Sequence, residues 1–131
     1  MHFTINNQRQ SKPFALGTDR SEVRNILANA IFRTKSTEPE NDFYLKEGLI
    51  LGYDGIDKLE FIEIFPPSTA EFLGVRFFDS SLPSVLNQLQ TIGLVASFEF
   101  GCYRYDAFGL SLFCPENKIE SVSLFRKGYY S

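Results

Sequence analysis

The sequence predicts an α+β domain: two βαβββ repeats forming one antiparallel sheet of about eight strands, with two helices on one face. Three observations predict it. Short segments recur in the same order at an offset of 60 to 62 residues, and a repeat of that period marks a supersecondary unit used twice. Lys58-Leu-Glu-Phe-Ile-Glu-Ile-Phe65 aligns with Lys118-Ile-Glu-Ser-Val-Ser-Leu-Phe125, Gly48-Leu-Ile-Leu51 with Gly109-Leu-Ser-Leu112, and Val23-Arg-Asn-Ile-Leu27 with Val85-Leu-Asn-Gln-Leu89. Two stretches carry apolar residues at helical spacing. Several others alternate apolar and polar residues between turn signals, as half-buried strands do.

Each half reads as a leading strand, a helix and three further strands, with pseudo-repeats at 1–67 and 68–131 of a single domain. The first helix opens at Asp19, with Glu22 at capping-box spacing. Val23, Ile26, Leu27, Ala30 and Ile31 then share one face. The second helix begins near Ser81, takes Pro83 in its first turn, and buries Val85, Leu86, Leu89 and Ile92 before Gly93 stops it. Residues 34–41 read as a loop, and Pro66-Pro67 as the joint between halves. Lys46-Glu47-Gly48 and Ala107-Phe108-Gly109 end in Gly, as three-residue hairpin loops do. Asp54-Gly55 and Pro115-Glu116-Asn117 turn the chain into the last strand of each half.

Strand alternation sorts the two faces. Ile62, Ile64, Val122 and Leu124 share the side assigned to the helices. Leu59, Phe61, Phe65, Ile119 and Phe125 fall on the other. Two helices cover one face of such a sheet, and the sequence shows no further element for a second layer. The helix-free face is therefore read as a binding or dimer surface.

Composition narrows the function classes. The chain has 131 residues, 14 Phe, 6 Tyr and no Trp, an aromatic load large for so small a core. Its net charge of -3 argues against direct nucleic-acid binding, which needs clustered bases. The charge is uneven: residues 1–37 carry +4, residues 38–99 carry -8 and residues 100–131 carry +1. An acidic middle steers basic partners. No stretch approaches the ~20 apolar residues of a spanning helix, so no membrane association is expected. Met1 to Lys12 is polar and lacks the apolar segment of an export signal, which sets the expectation at a cytoplasmic protein.

Catalytic chemistry is hard to assemble from these residues. The one histidine, His2, stands beside Met1, which leaves no base for a Ser-His or Cys-His pair. Neither a phosphate-binding loop nor zinc spacing occurs, and no cofactor or metal is expected. Glu60 with Glu63, and Asp54 with Asp57, are the carboxylate pairs that could converge, at spacings common on solvated strands and turns. Cys102 and Cys114 are equidistant from Phe108 and could face each other across a hairpin. Reduced, buried thiols are favoured over a disulfide in a cytoplasmic setting. Tyr44, Tyr53, Tyr103 and Tyr105 keep a polar tip and suit a surface that meets a partner.

The run Phe14-Ala-Leu-Gly-Thr-Asp-Arg-Ser-Glu-Val-Arg-Asn-Ile-Leu27 resembles the helix opening of the β-lactamase-inhibitor-protein-like fold, shared by the small lipoprotein of the outer-membrane barrel-assembly machinery. Residues 14–65 carry the likeness. Residues 76–125 echo it, with Asp79 where Gly17 stands in the first half. The resemblance implies a helix followed by an antiparallel hairpin, duplicated, with a sheet face that clamps a protein. Neither a lipoprotein anchor nor the disulfide pattern of a secreted inhibitor accompanies it.

In kind, a small acidic duplicated domain is similar to bacterial immunity proteins. The expectation is a non-enzymatic inhibitor that occludes the active site of a cognate toxin of a contact-dependent inhibition or other polymorphic system, a basic nuclease fitting best. Tyr53, Phe61, Glu63, Phe65, Tyr103 and Tyr105 would anchor the partner, and Asp54, Asp57 and Glu60 would steer it. A small-molecule or lipid module using the aromatic face, and a homodimer with packed faces, are the alternatives.

Overall fold

Alternating side chains build one antiparallel sheet of eight strands, and in the computed structural model it is described through residues 1–7 and 10–129. Its strands are β3 (Arg33–Lys35), β4 (Glu38–Tyr44), β5 (Leu49–Tyr53), β6 (Leu59–Ile64), β9 (Ser97–Glu99), β10 (Cys102–Tyr105), β11 (Leu110–Phe113) and β12 (Ser121–Phe125). Their order is β3-β4-β5-β6-β12-β11-β10-β9. Two four-stranded meanders thus meet at their last strands, where Ile62 faces Leu124 and Ile64 faces Val122. All four are fully buried. Each meander follows a helix, α1 (Arg20–Ile26) or α2 (Leu82–Thr91).

A second, four-stranded sheet accompanies the first. It consists of β1 (His2–Asn7), β2 (Gln10–Lys12), β7 (Thr69–Phe72) and β8 (Val75–Arg76), in the order β2-β1-β7-β8, with β1 and β7 parallel. The two leading strands expected in the large sheet therefore pair with each other. Their places are taken by β3 and β9, and residues 34–41 form a hairpin instead of a loop. The small sheet is an additional covering element that the sequence did not reveal. It lies on the helix side: Phe3, Ile5, Ala70 and Phe72 join Val23, Leu27, Val85, Leu89, Ile62 and Val122 in one core. The opposite face of the large sheet remains free of helices. His2 is not a loose terminal residue, since its ring bonds Thr69 Oγ1 at 2.6 Å and Glu71 at 2.9 Å across β1 and β7.

The helix boundaries follow their start and stop signals, with one change of mechanism. Ser81 caps α2 by accepting a bond from Ser84 N–H, and Gly93 follows the end with φ of 93°. Asp19 stands at the cap position of α1 without accepting a bond from the helix. Its carboxylate instead pairs with Lys58, which ties the helix start to β6. Helix α1 is short and buries Val23 alone, while Leu27 is buried just past its end and Ile26 and Ile31 are exposed.

Two face assignments change. Leu59 lies in the core, because a bulge sets Gly52 opposite Phe61 and Tyr53 opposite Leu59, so Glu60 is the extra residue. Ile119 precedes β12 and also joins the core. The hairpin loops each hold one residue more than expected, since Tyr44 pairs with Leu49 and Tyr105 with Leu110. That shift places Cys102 opposite Phe113, not Cys114. Both cysteines are free, with Cys102 on the helix-free side and Cys114 in the core, where burial pushes its thiol up to about 11.

Gly48 closes the first of these hairpins at φ of 78°, and a β-carbon there would overlap the Phe65 carbonyl. Gly48→Ala is expected to cost at least ~2 kcal/mol, combining left-handed strain with displacement of β6. Urea unfolding measures it, and an unchanged midpoint would contradict this close approach.

Candidate functional site

The register of the large sheet lays out the helix-free face as rows of side chains. One row crosses seven strands from Arg104 through Ser111, Ser123, Glu63 and Ile50 to Phe43 and Arg33. A second holds Glu99, Cys102, Phe113 and Ser121. A third holds Phe125, Phe61, Gly52 and Asn41. Short residues occupy the centre, and Ser111, Ser121 and Ser123 are buried. Ser121 Oγ donates to Glu63 Oε2 at 2.8 Å, crossing the seam between the meanders. Toward one edge, the Lys35 ammonium lies 4.4 Å from the centroid of the Phe43 ring.

This arrangement offers recognition groups more readily than a reaction centre. Glu63 accepts a serine hydroxyl, while the one imidazole, that of His2, bonds Thr69 and Glu71 instead. Burial pushes the Cys102 thiol up, against the pull of Arg104, which is opposite to the activation of a nucleophilic thiolate. Among the described residues, no group of three or more His, Cys, Asp and Glu converges so as to hold a metal ion.

The nine expected partner-binding residues separate into four places. Phe61, Glu63 and Phe65 follow the helix-free alternation and are half-buried. Phe61 is not an open anchor, because Tyr129 stacks on it at 5.2 Å with an interplanar angle of 23°. Asp54 is a turn residue: its carboxylate accepts the N–H groups of Ile56 and Lys58, which holds its pKa below the usual range. Asp57 ends that turn at φ of 59° and pairs with Arg20. Glu60, at the bulge, pairs with Arg126 at 2.9 Å.

The three tyrosines are corrected. Tyr53 and Tyr105 belong to the core, and Tyr103 packs against it. The cause is parity. Tyr103 lies opposite Leu112 and Tyr105 opposite Leu110, in rows that continue to Val122 and Leu124 on the helix side. Arg104 between them is the residue that reaches the free face. Tyr103 and Tyr105 instead border a notch of about 250 Å³ beside the end of α2, with Leu86 and Leu94. A cleft of about 710 Å³ lies elsewhere, between Gly17, Glu22, Lys58, Glu60 and Arg126.

Sequence reasoning missed a buried ion cluster. Asp42 on β4 alternates with Phe43, so its carboxylate points to the helix side and is fully buried. Arg20 donates to it at 2.6 Å, and Arg24 at 2.9 Å through both Nε and Nη2. The guanidinium of Arg20 lies over the Tyr53 ring, and that of Arg24 over Phe32. The signal was present in two arginines four residues apart on one helix. Its consequence is electrostatic: the basic start of the chain folds onto the acidic middle. Asp42, Asp57, Glu60, Glu71 and Asp79 all sit in ion pairs or beside His2. Arg20, Arg24 and Arg126 thereby offset part of the negative charge of the acidic middle.

With this geometry in hand, comparison with protein-family models, characterised proteins and solved structures gave no match. Among the described residues, no helix is long and apolar enough to cross a membrane.

Burial opposes ionisation of Asp42, but the hydrogen bonds from Arg24 and Arg20 outweigh it and lower its pKa. A depressed folded-state pKa stabilises the fold fully above the unfolded value of about 4, and that stability is lost as pH falls through the folded value. Asp42→Asn is expected to cost ~3–5 kcal/mol at pH 7, since two guanidinium groups lose their counter-charge. It should also flatten the acid limb of stability against pH. Urea unfolding from pH 7 down to pH 2 checks both, and an unaltered acid limb would refute the role assigned to Asp42.

Proposed function

We propose that this chain is a non-enzymatic protein-binding module that works by laying the helix-free face of its large sheet against a partner. One observation carries the reading: helices, small sheet and core all occupy one face, while the other bears a polar row flanked by aromatic residues. Phe65 is half-buried, and Phe113 is 38% exposed. Aromatic side chains beside satisfiable polar groups are what recognition surfaces are enriched in. A sheet of eight hydrogen-bonded strands presents them on a rigid platform, which lowers the ordering cost of binding.

The finer reading is a cytoplasmic immunity protein that occludes the active site of a bacterial toxin. The eight-stranded sheet with helices on one side supports the resemblance to the β-lactamase-inhibitor-like architecture. The ion pairs offset part of the acidic charge and leave the rest to steer a basic partner. Glu38, Glu40, Glu47, Asp54, Glu63 and Glu99 lie outside the ion pairs named above, so shape and apolar contact share the affinity with steering. Raising salt should therefore slow association with a basic partner.

The 710 Å³ cleft supports a second reading, a module for a small polar ligand, because its volume lies within the ~300–1,000 Å³ of ligand sites. Native mass spectrometry separates the two by revealing any co-purified molecule.

Co-expression with the protein encoded immediately upstream is the direct test. The wild-type chain should protect cells and form a stable complex. Phe113→Ala and Glu63→Arg, both on the free face, should each weaken that complex by about tenfold or more. Full protection by the double variant would overturn the face assignment.

A further inference from the structure

We propose that β9 is a pairing edge through which two copies of this chain join antiparallel, extending the large sheet across a two-fold axis at Phe98. This goes beyond the partner-binding face and does not depend on it.

The two edges of the sheet are chemically unlike. On β3, Arg33 and Lys35 stand at the rim and Pro39 follows in β4, the charge and proline that discourage edge-to-edge pairing. Strand β9 has neither a base nor a proline, only Ser97, Phe98 and Glu99. Its neighbourhood is the most apolar exposed region of the chain, with Val95 87%, Phe98 61% and Phe100 90% exposed.

Phe100 adds an independent sign. It occupies the β9–β10 turn at φ of 52°, followed by Gly101 at 76°. Such a two-residue turn favours Asn or Gly at its first position. A bulky aromatic there is strained, and exposure leaves the strain uncompensated within one copy. A contact made by a second copy supplies the compensation.

The backbone fixes the register. Glu99 and Cys102 flank a two-residue turn, so their N–H and C=O groups point at each other and those of Phe98 point outward. A two-fold pairing that uses these groups sets Phe98 opposite Phe98 of the second copy and Ser97 opposite its Glu99. On the core side, the Phe98–Tyr103 contact at 4.7 Å then continues as Tyr103–Phe98–Phe98–Tyr103. On the free side, Ser97 meets a carboxylate, the same chemistry that Ser121 and Glu63 show across the central seam. At each end Ala96 comes opposite Phe100 of the second copy. Phe98 is thus covered by its own counterpart.

Sedimentation equilibrium of the full chain tests this. The wild-type protein should shift from 15.0 kDa toward twice that mass as concentration rises through the micromolar range. Phe98→Arg should stay at the monomer mass with an unchanged far-ultraviolet spectrum. Phe100→Asn should weaken association by about tenfold while raising Tm, because Asn accepts the left-handed turn. A wild-type chain that remains monomeric, or a Phe98→Arg variant that still doubles in mass, overturns the proposal. Either result leaves the helix-free face open to a different partner.

Discussion

Everything in this structure depends on the antiparallel seam between β6 and β12. Ile62, Ile64, Val122 and Leu124 meet there with no exposure, and each contributes roughly 1.5–3 kcal/mol of burial. The seam turns two short meanders into one platform, too broad for a single helix to cover. Helices α1 and α2 dock on its core side through Val23 and Val85, and the small sheet closes the remaining gap with Phe3 and Phe72. The opposite side inherits the complementary parity of the same strands. Its Glu63 and serines are placed where they are because the isoleucines and leucines point away.

The ion cluster around Asp42 plays a different part. It does not hold the sheet together, but it fixes the position of α1 over β4 and β5. Burying a carboxylate is costly, and the two arginines with their aromatic neighbours offset that cost. In doing so they offset part of the negative charge that the linear sequence carries. Of the acids in residues 38–99 only Asp42 is buried, so a proposed partner is chosen by charge together with contour and apolar contact.

Much of the fold was legible in local chemistry. Ser81, Pro83 and Gly93 mark α2 directly, and the alternation of Ile62 with Ile64 identifies the core side of β6. Two things were not legible. The small sheet depends on β1 pairing with β7 across 67 residues of sequence, and short strands such as Gln10–Lys12 carry no periodicity of their own. Parity errors account for the misplaced site residues. One extra residue in the loop after Tyr105 moves Cys114 off its partner, and the bulge at Glu60 moves Leu59 to the core. A tyrosine's polar tip suggests exposure, whereas Tyr53 and Tyr105 are buried whole, and burial pushes the Tyr105 phenol up to about 12.

Native-state hydrogen exchange along the seam is the most direct test of this account. If the seam unites the two halves, the amides of β6 and β12 are the slowest in the chain. They should then exchange only through global unfolding, with one free energy and one denaturant dependence shared by β5 and β11. Separate free energies for residues 38–64 and 102–125 would contradict it, showing two meanders that open independently and no single platform.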